Sequence, residues 1–174
     1  MSLKPYGDAT RRREPAGRVS AHFRRLASLS RGQFITRVSI ESTALSLGLA
    51  VLLTAVWRGS EDSHILGHGL LGIVRDTLLV PLLETLLFQS LPVWVARRTT
   101  ANTTIQVLAA WIPFAAAHFL NGIGPGLCAG IIGGFYLAFA YVVWTRRAHG
   151  QAIMVTTAIH GITNAVAHAV AVFA

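Results

Sequence analysis

A single cysteine, Cys128, stands in this chain, which excludes a disulfide framework and any cysteine-rich metal site. Its neighbours are Gly and Ala, the surroundings of a small buried apolar residue. Charge is scarce as well: Asp, Glu, Lys and Arg make up 13% of the 174 residues, about half of the ~25% usual in soluble domains. Acidic residues are the rarest, 7 against 15 Lys and Arg, for a formal net charge of +8. The basic excess is uneven, because nine of the fifteen, from Lys4 to Arg37, precede the first long apolar run. Such clustering is an orientation signal for a membrane protein before it is a nucleic-acid signal. DNA or RNA binding would also need groove-reading or stacking elements, and the sequence shows none, so no nucleic-acid partner is expected. The first 35 residues, Arg-rich throughout, also lack the continuous apolar core of a cleavable signal peptide.

Apolar residues fill the rest. They account for 53% of the chain, with a mean hydropathy of +0.54. Five runs, roughly 38–57, 71–96, 103–120, 125–144 and 151–173, each approach the ~20 residues a helix needs to cross ~30 Å of hydrocarbon. The expected fold is all-α: a polytopic membrane helix bundle of about five transmembrane helices, the third the shortest, since only helices or closed barrels satisfy the backbone inside lipid. Residues 1–35 are expected to form a basic cytoplasmic arm, and residues 36–174 the membrane-embedded helical domain. Within the arm, Val19, Phe23, Leu26 and Leu29 recur at helical spacing against Arg18, Arg24, Arg25 and Arg31, so 18–34 reads as an interfacial amphipathic helix or as a flexible tail. Anionic lipid headgroups are its expected partners, at roughly 1 kcal/mol per cation.

Loop charges set the orientation. Arg97 and Arg98 follow the second span and Arg146 and Arg147 the fourth, whereas the loop after the first sets Arg58 against Glu61 and Asp62. This pattern places the N-terminus in the cytoplasm and the C-terminus outside, with Trp57, Trp94 and Trp144 near the interfaces. The expected location is a bacterial inner membrane. No internal repeat is evident.

Ionisable side chains inside such spans are costly and mark sites by default. The second span carries Arg75, Asp76 and Glu84, the third His118, and the fifth Thr157, His160, Asn164 and His168; the fourth has none. Arg75 and Asp76 lie near the outer end of their span, where a local ion pair suffices. Glu84 is too deep to reach water and follows Pro81, which loosens the helix ladder. His160, Asn164 and His168 share a helix face at spacings of four, as do Phe114 and His118. For His168 alone an interhelical hydrogen bond is sufficient explanation. Glu84, His118, His160 and Asn164 together bring titratable or hydrogen-bonding groups from three helices to one small bundle, as an active site requires.

Three stretches, Glu84-Thr85-Leu86-Leu87-Phe88-Gln89, Phe114-Ala115-Ala116-Ala117-His118 and His160-Gly161-Ile162-Thr163-Asn164, carry a resemblance. In order and spacing they resemble the Glu-Glu-x-x-x-Arg, Phe-x-x-x-His and His-x-x-x-Asn motifs of the CPBP family (CAAX protease and bacteriocin-processing), which includes the type II CAAX prenyl endopeptidases. The resemblance covers about residues 75–170. The first motif departs twice, with Thr85 for the second Glu and Gln89 for the Arg. A joint exchange to neutral groups avoids leaving one buried charge without its counter-charge. The resemblance implies an intramembrane glutamic-type endopeptidase without metal or cofactor: Glu84 and His118 polarise a water, and His160 with Asn164 stabilise the oxyanion, where each well-aimed donor is worth roughly 3–4 kcal/mol. Its substrate would be a peptide or membrane-protein segment within the bilayer. The glycines of the fourth span, Gly126, Gly130, Gly133 and Gly134, read as close helix packing or as room for a substrate.

Glu84, His160 and Asn164 fall near mid-depth at 1.5 Å rise per residue, and His118 near the outer end of its span. Helix tilt or an extension past Asn121 would level them. Two other classes stay open. A zinc protease could use Glu84, His118, His160 and His168, although His-Glu-x-x-His is absent and Asn is a poor zinc ligand. A catalytically inactive relative, serving immunity or scaffolding, suits the Thr85 and Gln89 departures. A small transporter would need paired broken spans in two halves, which are missing.

Overall fold

The computed structural model describes residues 18–56 and 69–173, and these form helices with no strand among them. They group into six elements: α1 (Arg18–Ala27), α2 (Arg31–Val56), α3 (Gly69–Thr99), α4 (Thr103–Phe119), α5 (Ile123–Thr145) and α6 (His149–Phe173). Four of them, α2, α3, α5 and α6, are long and apolar enough to span a bilayer, and α4 is a shorter apolar helix of 17 residues, ~25 Å at 1.5 Å per residue. The chain is thus a multi-pass helical membrane protein of about five spans. Trp57 and the loop charges Arg58, Glu61 and Asp62, like the arm over residues 1–17, lie outside the described residues.

Local chemistry sets the breaks. The segment read as one interfacial helix over 18–34 divides after Ala27, and its last residues belong to α2. Ser30 starts the new helix, since its N–H and hydroxyl both donate to Gln33 Oε1, at 3.3 and 2.9 Å, the glutamine half of a capping box. Asn102 caps α4, its Oδ1 accepting from Thr104 N at 2.9 Å. Between α4 and α5 the chain reverses at Gly122, whose φ of +115° is open only to glycine. Trp144 O closes the α5–α6 turn by accepting from Arg147 N and Ala148 N.

α5 is the central helix, buried along most of its second half, and α2, α3, α4 and α6 surround it. Large apolar side chains point away from the bundle instead of into it: Leu71 is 84% exposed, Val56 78%, Val51 70%. Lipid is the solvent that suits such a surface.

The core is concentrated at one end. There Phe23 of α1 packs against Phe135 and Phe139, and Phe34 of α2 against Trp144. Trp144, at the end of α5, is 2% exposed, because α1 and the start of α2 fold over it. Trp94 is half exposed, with the Arg98 guanidinium over its ring. The same end gathers the basic residues: Arg97 donates to Thr145 O, Arg146 to Thr103 Oγ1 and Arg147 to Ala27 O. At the opposite end the core gives way to a cavity.

Candidate active site

The cavity begins with an irregular α3. Two π-helical stretches, Arg75–Leu79 and Thr85–Ser90, flank the α-helical turn Val80–Glu84, and wide turns of this kind are frequent at functional sites. Val80 N donates to Arg75 O, five residues back, and the next position is Pro81, which has no N–H to offer. The backbone therefore has no donor at position 81 for the Asp76 carbonyl. Asn164 of α6 serves it, Nδ2 to Asp76 O at 2.8 Å. One turn before Asn164, α6 passes directly over α3: a Cβ on Gly161 would collide with the Thr77 carbonyl oxygen. The glycine is what lets His160 and Asn164 reach the side of α3 that bears Glu84.

Glu84, His118, His160 and Asn164 line one cavity of about 780 Å³, within the usual size range of ligand sites. His160 is 5% exposed, and its Nε2 lies 3.5 Å from Glu84 Oε2, just beyond ordinary hydrogen-bond length. The His118 Nδ1 is 3.0 Å from Phe114 O. A carbonyl only accepts, so this nitrogen carries the proton, and Nε2 of the neutral ring keeps its lone pair. Phe114 stands between the imidazoles, its ring 4.3 Å from that of His118 and 5.8 Å from that of His160. α4 does not run past Asn121; it ends at Phe119. His118 meets the deeper groups because the cavity itself extends from Glu84 to the end of the bundle, where Asn121 and Pro125 line it.

The glycines of α5 divide between the two roles weighed for them. Gly130 lies against Ala115 and the His118 Cβ, and Gly134 against the Phe114 ring, at 3.0 and 2.6 Å from where a Cβ would stand, while Gly126 abuts Phe119. These three hold α4 close and so fix His118 and Phe114. Gly133 lines the cavity.

Other contributors were passed over in the sequence. Ser42 and Ser46 of α2 face the cavity, and Ser46 Oγ donates to Cys128 O at 2.9 Å, tying α2 to the π-helical stretch Gly126–Gly133 of α5. Ser39, Ser42 and Ser46 recur at helical spacing on the first span, a signal that was available. Arg75 and Asp76 do form the local pair expected of them, Nε to Oδ1 at 2.6 Å, yet both line the cavity too. His168 approaches the second Asp76 oxygen, Nε2 to Oδ2 at 3.3 Å. Thr85 and Gln89, the two departures from the first motif, are 1% and 0% exposed. Neither the Thr85 hydroxyl nor either Gln89 amide atom has a hydrogen-bond partner among the described residues.

Among the described residues no three His, Cys, Asp or Glu side chains gather into a group able to hold a metal ion. His168 in particular sits on Asp76, away from Glu84.

No curated protein and no solved structure matches the chain. The family described as type II CAAX prenyl endopeptidase Rce1-like matches it over residues 66–166. That interval holds Glu84, His118, His160 and Asn164 and exceeds half of the chain, which therefore belongs to this family of intramembrane endopeptidases.

Proposed function

We propose that this protein is an intramembrane endopeptidase that hydrolyses a peptide bond of a membrane-associated substrate with water activated by Glu84 and His118. Glu84 takes a proton from the water, and the neutral His118 Nε2 holds the other hydrogen, so that the oxygen adds to the scissile carbonyl carbon. His160 and the second amide hydrogen of Asn164 donate to the oxyanion. The proton on Glu84 then passes to the leaving amine as the C–N bond breaks. The observation that supports this reading is the convergence of a carboxylate from α3 and imidazoles from α4 and α6 on one cavity inside a membrane bundle. In the same proposal the basic end faces the cytoplasm of a bacterial inner membrane, and the arm rests on anionic headgroups.

The decisive comparison is wild type against Glu84→Gln at matched membrane expression, scored by cleavage of a membrane-tethered peptide reporter. Loss of cleavage in a variant that keeps its detergent-solubilised melting temperature is the expected outcome. Undiminished cleavage would remove Glu84 from the chemistry and with it the mechanism.

One observation favours a second reading. Thr85 and Gln89, inside the bundle with unsatisfied polar atoms, replace the charged pair of the family motif, which suits a relative retained for binding instead of hydrolysis. That protein would keep its cellular phenotype in Glu84→Gln and His118→Ala.

A further inference from the structure

Except for Arg75, which lines the cavity, the described arginines lie at the end of the bundle opposite to it. Arg97 and Arg98 close α3, Arg146 and Arg147 close α5, and Arg24, Arg25, Arg31 and Arg37 lie on α1 and the first turns of α2. The contacts of Arg97, Arg146 and Arg147 with Thr145, Thr103 and Ala27 draw these termini into one surface. The single described arginine elsewhere, Arg75, is paired with Asp76. The cavity runs the other way. Below Glu84 and His160 it is lined by Ala50 near the end of α2, Asp76 near the start of α3, Asn121 after α4 and Pro125 at the start of α5. Every one of these positions is at the end of its helix remote from the arginines. Among the described residues, α2 rests mainly on α5 and α6 and α3 mainly on α4 and α6, and both line the cavity.

Lys and Arg flanking short loops are retained on the cytoplasmic side of a membrane. We propose that the cavity opens to the non-cytoplasmic face, so that its substrate is an exported peptide or the non-cytoplasmic end of a membrane-spanning segment, not a cytosolic chain terminus. The choice of substrate rests on the hydrolase reading of the same cavity, whereas the direction of opening does not.

The chain supplies its own probe, because Cys128 is its one cysteine and lines the cavity. A small, charged, membrane-impermeant methanethiosulfonate reagent is applied to right-side-out and to inverted membrane vesicles containing the full chain. Labelling is read by mass. Two variants in a Cys128→Ala background accompany it: Asn121→Cys at the cavity mouth, and Thr99→Cys among the arginines. Cys128 and Asn121→Cys labelled in right-side-out vesicles alone, with Thr99→Cys labelled in inverted vesicles alone, is the expected result. Failure of Asn121→Cys to label from the outer face, or labelling of Cys128 from the cytoplasmic face, overturns the proposal. Labelling needs no turnover, so it reads the direction of opening separately from cleavage. A cavity that labels from outside in a wild-type chain that never cleaves would refute the hydrolase and leave the outward opening standing.

Discussion

Gln89 stands out among the buried polar side chains of the described residues. It is wholly buried on α3, and both its amide oxygen and nitrogen lack a hydrogen-bond partner among the described residues. A buried polar group without a partner costs about 1–3 kcal/mol, yet a lone guanidinium there would cost more, and so would a lone carboxylate at Thr85. Gln89→Arg is therefore expected to destabilise by about 3–5 kcal/mol, the usual penalty of a buried charge without its counter-charge. Adding Thr85→Glu should recover most of that loss. Thermal unfolding in detergent of both single variants and the double variant measures it; a double variant no better than the sum of the singles would show that the two sites do not interact. The adjoining Glu84 is differently placed, at the cavity with 27% of its side chain exposed, so its substitution by Gln should change chemistry and not folding.

At the level of the helix, α3 departs from regular α-geometry twice, and the first departure, Arg75–Leu79, has a partner on α6. Pro81 leaves no donor at position 81, and Asn164 supplies one to the Asp76 carbonyl. Asn164 thus has a structural task besides any donation to a reacting carbonyl. Gly161 makes this approach sterically feasible, since any side chain there meets the Thr77 carbonyl. Gly161→Ala is expected to push α6 away from α3 and to cost about 1–3 kcal/mol, as overpacking typically does. It should also widen the gap of 3.5 Å between His160 and Glu84 and so lower cleavage, although position 161 bears no reactive group. A melting temperature and cleavage rate equal to wild type would show that the helices do not cross this closely.

Across the whole molecule, the described exterior is apolar, and the apolar core at the basic end gives way to a partly polar cavity at the other. Ile112 of α4 is 60% exposed near the middle of the shortest apolar helix. If that flank meets lipid, Ile112→Lys should cost about 3 kcal/mol of insertion free energy. Membrane fractionation of an α4 insertion reporter is expected to show a clear fall in the inserted fraction. Unchanged insertion would mean that α4 is shielded from the bilayer by something outside this chain. The basic end and the cavity end divide stability from opening: aromatic packing by Phe23, Phe34, Phe135 and Trp144 holds the first, and the second is left unfilled.

By itself the sequence determined the helical membrane architecture and four of the five spans to within a few residues, the first helix starting seven residues earlier than its apolar run, because apolar length is a one-dimensional quantity that the bilayer reads directly. It also marked Glu84, His118, His160 and Asn164 as candidates, since ionisable and amide side chains in hydrocarbon are conspicuous without any coordinates. The tertiary structure decided the rest. Sequence periodicity places Trp144 at a helix end but carries no information on which segment folds over it. Nor does it show that two π-helical stretches frame Glu84, that Asn164 is engaged by Asp76, or that serines of α2 close the far wall of the cavity. These depend on how one helix crosses another, and crossing is set by contacts between residues far apart in the chain.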